Sequence, residues 1–219
     1  MKDFTFEPAP WIPFRDREVL DRVRNIKRED MEKHPNPDFK IKIVPTFGSI
    51  FVGDMVMRMK LSDEMDKPCV MIIPNPDPAS YIQVAELVNR FKISCRNVHL
   101  FGMDEWADDQ GNIAPITYKS GFGYSFMKYL VGNIDEKLRM PMKNIHYPTN
   151  EIAADYSKMI EDAGNGGADI CYSGPGWAGH VGFVDPNTPE FACDSIEEFT
   201  DMGARIVTLH PLTIAQNSL

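Results

Sequence analysis

Residues 173–186, with the sequence SGPGWAGHVGFVDP, contain the densest set of residue types that could perform acid–base chemistry. His180 can act as an acid or a base near neutral pH, and Asp185, five residues later, could orient its ring. Gly176 and Gly179 could let the backbone approach a ligand closely and donate hydrogen bonds to it. The segment therefore predicts a catalytic pair, His180 and Asp185, in a substrate-binding turn. A glycine-rich turn that holds a structural histidine is the alternative.

Two adjacent carboxylates, Asp104 and Glu105, lie at the end of the apolar segment 97–106. A carboxylate that is half shielded in a crevice can remove a proton from carbon. The alternative is a loop acid that caps a backbone turn, which is common for Asp. Asp104 is therefore a candidate catalytic base and Glu105 a candidate substrate contact, and the segment alone leaves both interpretations open.

A third segment, PTFGS at residues 45–49, could bind a phosphate group. Thr46, Gly48 and Ser49 lie where a predicted strand ends and a predicted helix begins. The free backbone N–H groups at the start of a helix favour an anion. An ordinary helix cap by Ser49 is the alternative.

Strand-like and helix-like apolar patterns alternate along the chain. The predicted strands are 39–47, 69–74, 97–106, 168–176 and 205–210, and the predicted helices lie within 17–33, 48–61, 79–91, 121–130 and 152–163. This order predicts an α/β fold, a three-layer α/β/α domain with a mainly parallel, Rossmann-like sheet. Such sheets bind ligands beyond the carboxyl ends of their strands. The three segments, together with the turn predicted at 75–77 after the second strand, should therefore meet in one crevice.

Residues 39–219 are assigned to this α/β domain, and residues 1–38 to an N-terminal arm and helix. The arm is rich in proline and aromatic residues, among them Trp11 and Phe14. We expect these apolar side chains to cover either the protein's own core or a neighbouring subunit. We also expect the protein to form a homo-oligomer.

The composition excludes several classes of protein and site. The chain has 32 acids and 23 bases, and its formal net charge of −9 argues against nucleic acid as a partner. We expect no membrane segment and no secretory signal, and therefore a cytoplasmic protein. Although residues 174–179 match GxGxxG, Pro186 and Pro189 leave no room for the long helix of a dinucleotide site. The histidine and cysteine spacings predict no metal site. Reduced thiols in the core are predicted for Cys69, Cys95, Cys171 and Cys193.

Taken together and in this order, the segments resemble those of the glucosamine-6-phosphate deaminase/isomerase family. That family shares a superfamily with the 6-phosphogluconolactonases. The similarity rests on PTFGSI at 45–50, MDEW at 103–106, YSFM at 124–127, GPGWAGHVGFVDP at 174–186, and TLH and AQNS within 208–218. Each segment by itself matches the family's motif only approximately. The resemblance is specific because all the segments occur in the family's order.

The resemblance implies a reaction and a role for each site residue. The substrate would be an amino-sugar phosphate such as glucosamine 6-phosphate, and no cofactor would be required. Asp104 would move a proton between C2 and C1, His180 would open the sugar ring, and Asp185 would tune the histidine. Backbone amides around Gly48 and Ser49 would hold the phosphate.

Several positions depart from the family's pattern. Ala178 stands where the family has an Asp, which predicts a less well oriented His180 ring with a lower pKa. Asp185 is shorter than the Glu that the family has there. Phe47 replaces the first glycine of the phosphate loop, and Leu219 stands where an arginine is usual. The family's phosphate-binding lysine lies farther along, so we expect either a fragment or an incomplete phosphate site.

These departures leave two alternatives to an isomerase or deaminase. A non-catalytic relative would bind a sugar phosphate without converting it. A lactonase of the 6-phosphogluconolactone type would use His180 to activate water. The MDEW segment favours the isomerase, because lactonases more often have Asp-Glu-Arg at this place.

Overall fold

The computed structural model describes residue 12, residues 14–75 and residues 78–218. Trp11 of the predicted arm, Asp77 of a predicted turn and Leu219 lie outside these residues. The chain divides into two compact units, Met1–Phe47 and Gly48–Leu219. The domain boundary expected after residue 38 stays a prediction.

The described part of the N-terminal unit contains one helix and lacks the strand predicted at 39–47. Helix α1 (Arg17–Arg24) is followed by a single 3-10 turn, Arg28–Asp30, so the predicted helix ends early. The strand predicted at 39–47 is wrong, because these residues adopt no regular structure. The N–H of Ile43 donates to the Glu32 carboxylate at 3.1 Å. An apolar pattern forms a strand only beside another strand, and the described part of this unit offers none.

A parallel sheet of four strands organises the second unit. In chain order the strands are β1 (Cys69–Ile73), β2 (Val98–Gly102), β3 (Ile145–His146) and β4 (Ile170–Cys171). Across the sheet their order is β3-β2-β1-β4, and every pair is parallel. The predicted parallel sheet is confirmed, and the two-residue strand β3 has no predicted counterpart.

Six helices accompany this sheet among the described residues. They are α2 (Gly48–Met65), α3 (Pro78–Phe91), α4 (Phe122–Tyr129), α5 (Tyr156–Gly164), α6 (Ile196–Thr200) and α7 (Pro211–Asn217). The first four lie where the sequence predicts helices. Among the described residues, every helix lacks either the length or the apolar character that a membrane span requires.

Alternate residues of β1 face opposite sides of the sheet and produce two apolar clusters. Met71 and Ile73 belong to the larger cluster, which includes buried residues of α2, α3 and α4. Val70 belongs to a smaller cluster with Phe101 and Tyr156, the first residue of α5. The sheet therefore lies between two helical layers, and the predicted three-layer architecture is confirmed.

The strand predicted at 205–210 is wrong, and hydrogen bonds explain why. The N–H of Thr208 donates to the Glu190 carboxylate at 3.0 Å, and the N–H of His210 donates to the Asp185 carboxylate at 2.7 Å. These carboxylates accept the N–H groups that a strand would pair. The segment therefore carries a strand-like sequence without joining the sheet.

The cysteines are less uniform than predicted. Cys69 and Cys95 are buried, as expected of core thiols, whereas Cys193 is only partly buried. Cys171 ends β4 and is exposed, so its assignment to the core is wrong. Among the described residues, no three His, Cys, Asp or Glu side chains are grouped as a metal site requires.

Candidate active site

Asp104 lies directly beyond the carboxyl end of β2. The N–H of Met103 donates to the Ile73 carbonyl at 2.9 Å, so the hydrogen bonds between β1 and β2 end one residue before Asp104. From there the chain leaves the sheet, and Asp104 lines a cleft of about 990 Å³. This is the edge at which parallel sheets bind ligands.

The Asp104 carboxylate is half-buried and makes no hydrogen bond to any described residue, although it keeps some contact with solvent. Burial, with a smaller effect from the adjacent Glu105 charge, raises the pKa of Asp104 to about 7. Burial has this effect because it removes water from the charged form of a carboxyl group. A group with this pKa exists in both protonation states near neutral pH, which suits one that accepts a proton and returns it.

Glu105 uses its carboxylate to hold the start of α4. It accepts the N–H groups of Trp106 at 2.9 Å, Phe122 at 3.2 Å and Gly123 at 2.8 Å. The residue that precedes α4 offers no side-chain cap, so Glu105 supplies one from another loop. A Cβ on Gly121 would lie 3.1 Å from a Glu105 oxygen, which favours glycine there. This geometry supports a positioning role, and the substrate contact of Glu105 stays a prediction.

The glycine-rich turn closes on His180. The N–H of Gly176 donates to the His180 carbonyl, and the N–H of Gly179 donates to the Gly176 carbonyl, both at 2.9 Å. A Cβ on Gly176 would lie 2.0 Å from Cε1 and 2.2 Å from Nε2 of the His180 ring. Gly179 has a φ of +84°, which glycine adopts without strain. Both N–H groups are engaged within the turn, so these glycines shape it, and their contact with substrate stays a prediction.

A chain of hydrogen bonds joins His180 to Asp185 through Thr213. His180 Nδ1 lies 2.8 Å from Thr213 Oγ1, and this hydroxyl donates to Asp185 Oδ1 at 2.6 Å. The direct distance from Nδ1 to Asp185 Oδ1 is 3.6 Å, too long for a hydrogen bond. Sequence reasoning assigned no role to Thr213. The only signal was its place between the TLH and AQNS segments.

The environment of His180 favours its neutral form. Burial lowers the pKa of His180, and attraction to the Asp185 charge partly opposes the decrease. Desolvation is thus the main cause of the lower pKa, and the effect expected from Ala178 stays a prediction. Ala178, which stands in place of an expected acid, is fully buried. The other ring nitrogen, Nε2, makes no hydrogen bond to a described residue and keeps some contact with solvent.

Aromatic side chains join the loop of Asp104 to the loop of His180. The Phe183 ring lies 5.3 Å from the Trp106 ring and 6.0 Å from the His180 ring, measured between centroids. Trp106 and Phe183 line the same cleft as Asp104, whereas His180 lies outside its lining. The structure therefore brings the loops after β2 and β4 together, and Phe183 both lines the cleft and contacts the histidine.

The predicted phosphate segment spans the boundary of the two units. Thr46 and Phe47 end the N-terminal unit, and the Phe47 side chain is 74% exposed. Gly48 and Ser49 form the first turn of α2, so Ser49 lies within the helix and does not precede it as a cap. The N-terminal amides of such a long helix favour an anion. Phosphate contacts by Thr46, Gly48 and Ser49 stay predictions.

Comparison with curated proteins gives a consistent set of relatives, although no family model matches the chain. The glucosamine-6-phosphate deaminase of Oceanobacillus iheyensis is 30% identical over 133 residues, which are 57% of this chain and 48% of the relative. The corresponding protein of Lysinibacillus sphaericus is 29% identical over 153 residues, which are 61% of this chain and 60% of the relative. The chain thus matches about half of the length of these relatives.

Solved structures give the same picture of the fold. A monomeric glucosamine-6-phosphate deaminase, described as a missing link of the NagB superfamily, aligns with a TM-score of 0.55 at 16% identity. The match covers 81% of this chain and 78% of that one. The devB protein also aligns with a TM-score of 0.55, at 19% identity over 78% of this chain and 68% of its own. Sequence similarity over part of their length confirms the resemblance to proteins named glucosamine-6-phosphate deaminase, and the solved structures confirm the fold.

Proposed function

We propose that this chain is a sugar-phosphate isomerase/deaminase that acts on an amino-sugar phosphate such as glucosamine 6-phosphate. The observation that carries the proposal is the state of the Asp104 carboxylate, which is half-buried, unpaired among the described residues and has a pKa of about 7. Holding a carboxyl in this way opposes folding, because burial removes water without supplying a partner. Proton transfer at carbon is a use for such a group. The names of the homologues supply the class of substrate.

In the proposed reaction, His180 first opens the sugar ring. Nε2 takes the proton of the anomeric hydroxyl and returns it to the ring oxygen, which leaves the open-chain aldehyde. Asp104 then removes the proton from C2 while O1 gains a proton from water, and Asp104 returns its proton to C1. The product is an iminium at C2, to which water adds before ammonia leaves, giving fructose 6-phosphate.

The remaining site residues would bind and position the substrate. The amides of Gly48 and Ser49, in the first turn of α2, would hold the 6-phosphate, because the N–H groups at the start of a helix favour an anion. Asp185 would act on the histidine through Thr213. No step requires a metal ion or a redox cofactor.

An ammonia-release assay with glucosamine 6-phosphate tests this proposal. Asp104→Asn and His180→Gln remove a proton-transfer group and nearly conserve its size, so each should lower the rate of release by about 10²- to 10⁴-fold. Asp162→Asn and His34→Gln are matched controls, because both of these side chains are exposed. The controls should release ammonia at the unmodified rate.

The other outcomes separate the alternatives. Release that persists in both site variants would contradict the proposal. A thermal shift with glucosamine 6-phosphate but no release would favour a non-catalytic relative. Hydrolysis of 6-phosphogluconolactone without ammonia release would favour a lactonase.

A further inference from the structure

The connection between His180 and Asp185 consists of three polar side chains that are almost inaccessible to water. Their exposed fractions are 7% for His180, 4% for Asp185 and 0% for Thr213. Buried polar atoms of this kind are nearly always hydrogen-bonded, because leaving one unpaired is costly. The positions of the hydrogens in this connection therefore follow from the donors and acceptors that are present.

Asp185 determines the direction of the hydrogen bonds. Its Oδ2 accepts the N–H of His210 at 2.7 Å, and its Oδ1 accepts the hydroxyl of Thr213 at 2.6 Å. An ionised carboxylate can only accept, so the single hydroxyl hydrogen of Thr213 points to Asp185. The Thr213 oxygen can then only accept from His180, and Nδ1 of the ring must carry a hydrogen.

Helix α7 holds both partners of the histidine in place. Thr213 lies in the first turn of this helix, where its own N–H donates to the His210 carbonyl at 2.9 Å. Threonine in a helix divides between two side-chain rotamers, and the hydrogen bond to Asp185 defines the position of the Thr213 hydroxyl. Asp185 binds the N–H of His210, the residue that precedes the same helix. The start of α7 thus places the carboxylate and the hydroxyl together.

We infer that Thr213 is a positioning residue that fixes the His180 ring as the tautomer with hydrogen on Nδ1 and a free lone pair on Nε2. Asp185 cannot select this tautomer directly, because 3.6 Å separates its nearest oxygen from Nδ1. Nε2 keeps its contact with solvent and can accept a proton. The catalytic consequence of this tautomer rests on the proposed function, whereas the tautomer itself is a property of the chain alone.

The tautomer can be measured by NMR of protein labelled with ¹⁵N in histidine. The His180→Gln variant identifies the ring signals of His180 among those of the five histidines. The unmodified chain should show a protonated Nδ1 and an unprotonated Nε2 near neutral pH. Thr213→Val keeps the shape of the side chain and removes its hydroxyl, so the Nδ1–H form should lose its dominance. Thr213→Ser keeps the hydroxyl and should preserve that form.

Ammonia release provides the second readout. We expect kcat/KM to fall roughly 10- to 100-fold in Thr213→Val, which is less than the loss expected when the acid–base group itself is removed. In Thr213→Ser, kcat/KM should largely recover. A protonated Nε2 in the unmodified chain would overturn the inference even if no variant folds. An unchanged Nδ1–H form in folded Thr213→Val would also overturn it. If the unmodified chain releases no ammonia, the proposed function fails, and the NMR comparison still decides the role of Thr213.

Discussion

The His180 ring lies so close to Gly176 that no residue with a Cβ would fit at position 176. The backbone of Gly176 passes along the ring edge that carries Cε1 and Nε2. The neighbouring ring atom Nδ1 lies 2.8 Å from Thr213 Oγ1, and a Cβ on Gly176 would approach it to 2.6 Å as well. The imidazole thus contacts both a backbone segment and a hydroxyl, and its orientation depends on the absence of a Cβ at residue 176.

Gly176→Ala should therefore displace the His180 ring, because the new Cβ would lie 2.0 Å from Cε1. Overpacking of this kind costs about 1–3 kcal/mol of stability, and we expect at least a tenfold loss of ammonia release. The His180 ring signals should move in the NMR spectrum. Gly174→Ala is the matched control, because the Cβ that it adds would have no atom of a described residue within 4 Å beyond its chain neighbours. Equal behaviour of the two variants would contradict this account.

Helix α4 begins without a cap from its own preceding residue and depends on Glu105 instead. Glu105 follows Asp104, so one carboxylate fixes the start of the helix while its neighbour remains unpaired among the described residues. The negative charge of Glu105 also contributes to the raised pKa of Asp104. The helix, the loop after β2 and the chemistry of Asp104 are therefore linked through a single side chain.

Glu105→Ala should loosen the first turn of α4. Loss of a cap and of a carboxylate at a helix N-terminus lowers the free energy of unfolding by about 1–2 kcal/mol. In hydrogen exchange, the amides of Phe122 and Gly123 should lose protection first, since they donate to Glu105. Glu136→Ala, at an exposed acid, is the control. Unchanged exchange at both amides would show that another group caps the helix.

The elements also show what can be predicted from the sequence and why the rest cannot. The strands at 69–74 and 97–106 were predictable because a strand buried on both faces is a continuous apolar run. Segments 39–47 and 205–210 have similar patterns, but neither has a strand beside it. The presence of a neighbouring strand depends on tertiary structure and cannot be predicted from the segment itself. Asp104 and His180 follow strands and could be predicted from that order. Thr213 could not, because a threonine in a helix has no pattern that indicates a buried hydroxyl.

At the scale of the molecule, the sheet gathers the candidate site at its carboxyl edge. The loops after β2 and β4 contact each other there through Trp106 and Phe183. This edge contains Asp185, whose two carboxylate oxygens both accept hydrogen bonds, and Asp104, whose carboxylate is unpaired among the described residues. The first arrangement stabilises the fold and the second opposes it. The free-energy cost of the unpaired Asp104 carboxylate must therefore be offset by stabilising interactions elsewhere in the domain.

Asp104→Asn should stabilise the protein in a way that depends on pH. The carboxyl has an ordinary pKa of 3.8 when unfolded and a pKa of about 7 when folded, so the folded state binds more protons between these values. The unmodified chain therefore loses stability as the pH rises through this range. The Asp104→Asn variant does not share this loss, because asparagine does not titrate. The full shift corresponds to about 4 kcal/mol, and solvent contact reduces the expected gain above pH 7 to roughly 1–3 kcal/mol. Urea unfolding at pH 5, 7 and 8.5, with Asp162→Asn as control, measures this difference. It should grow with pH, and a constant difference would mean that Asp104 titrates normally in the folded protein.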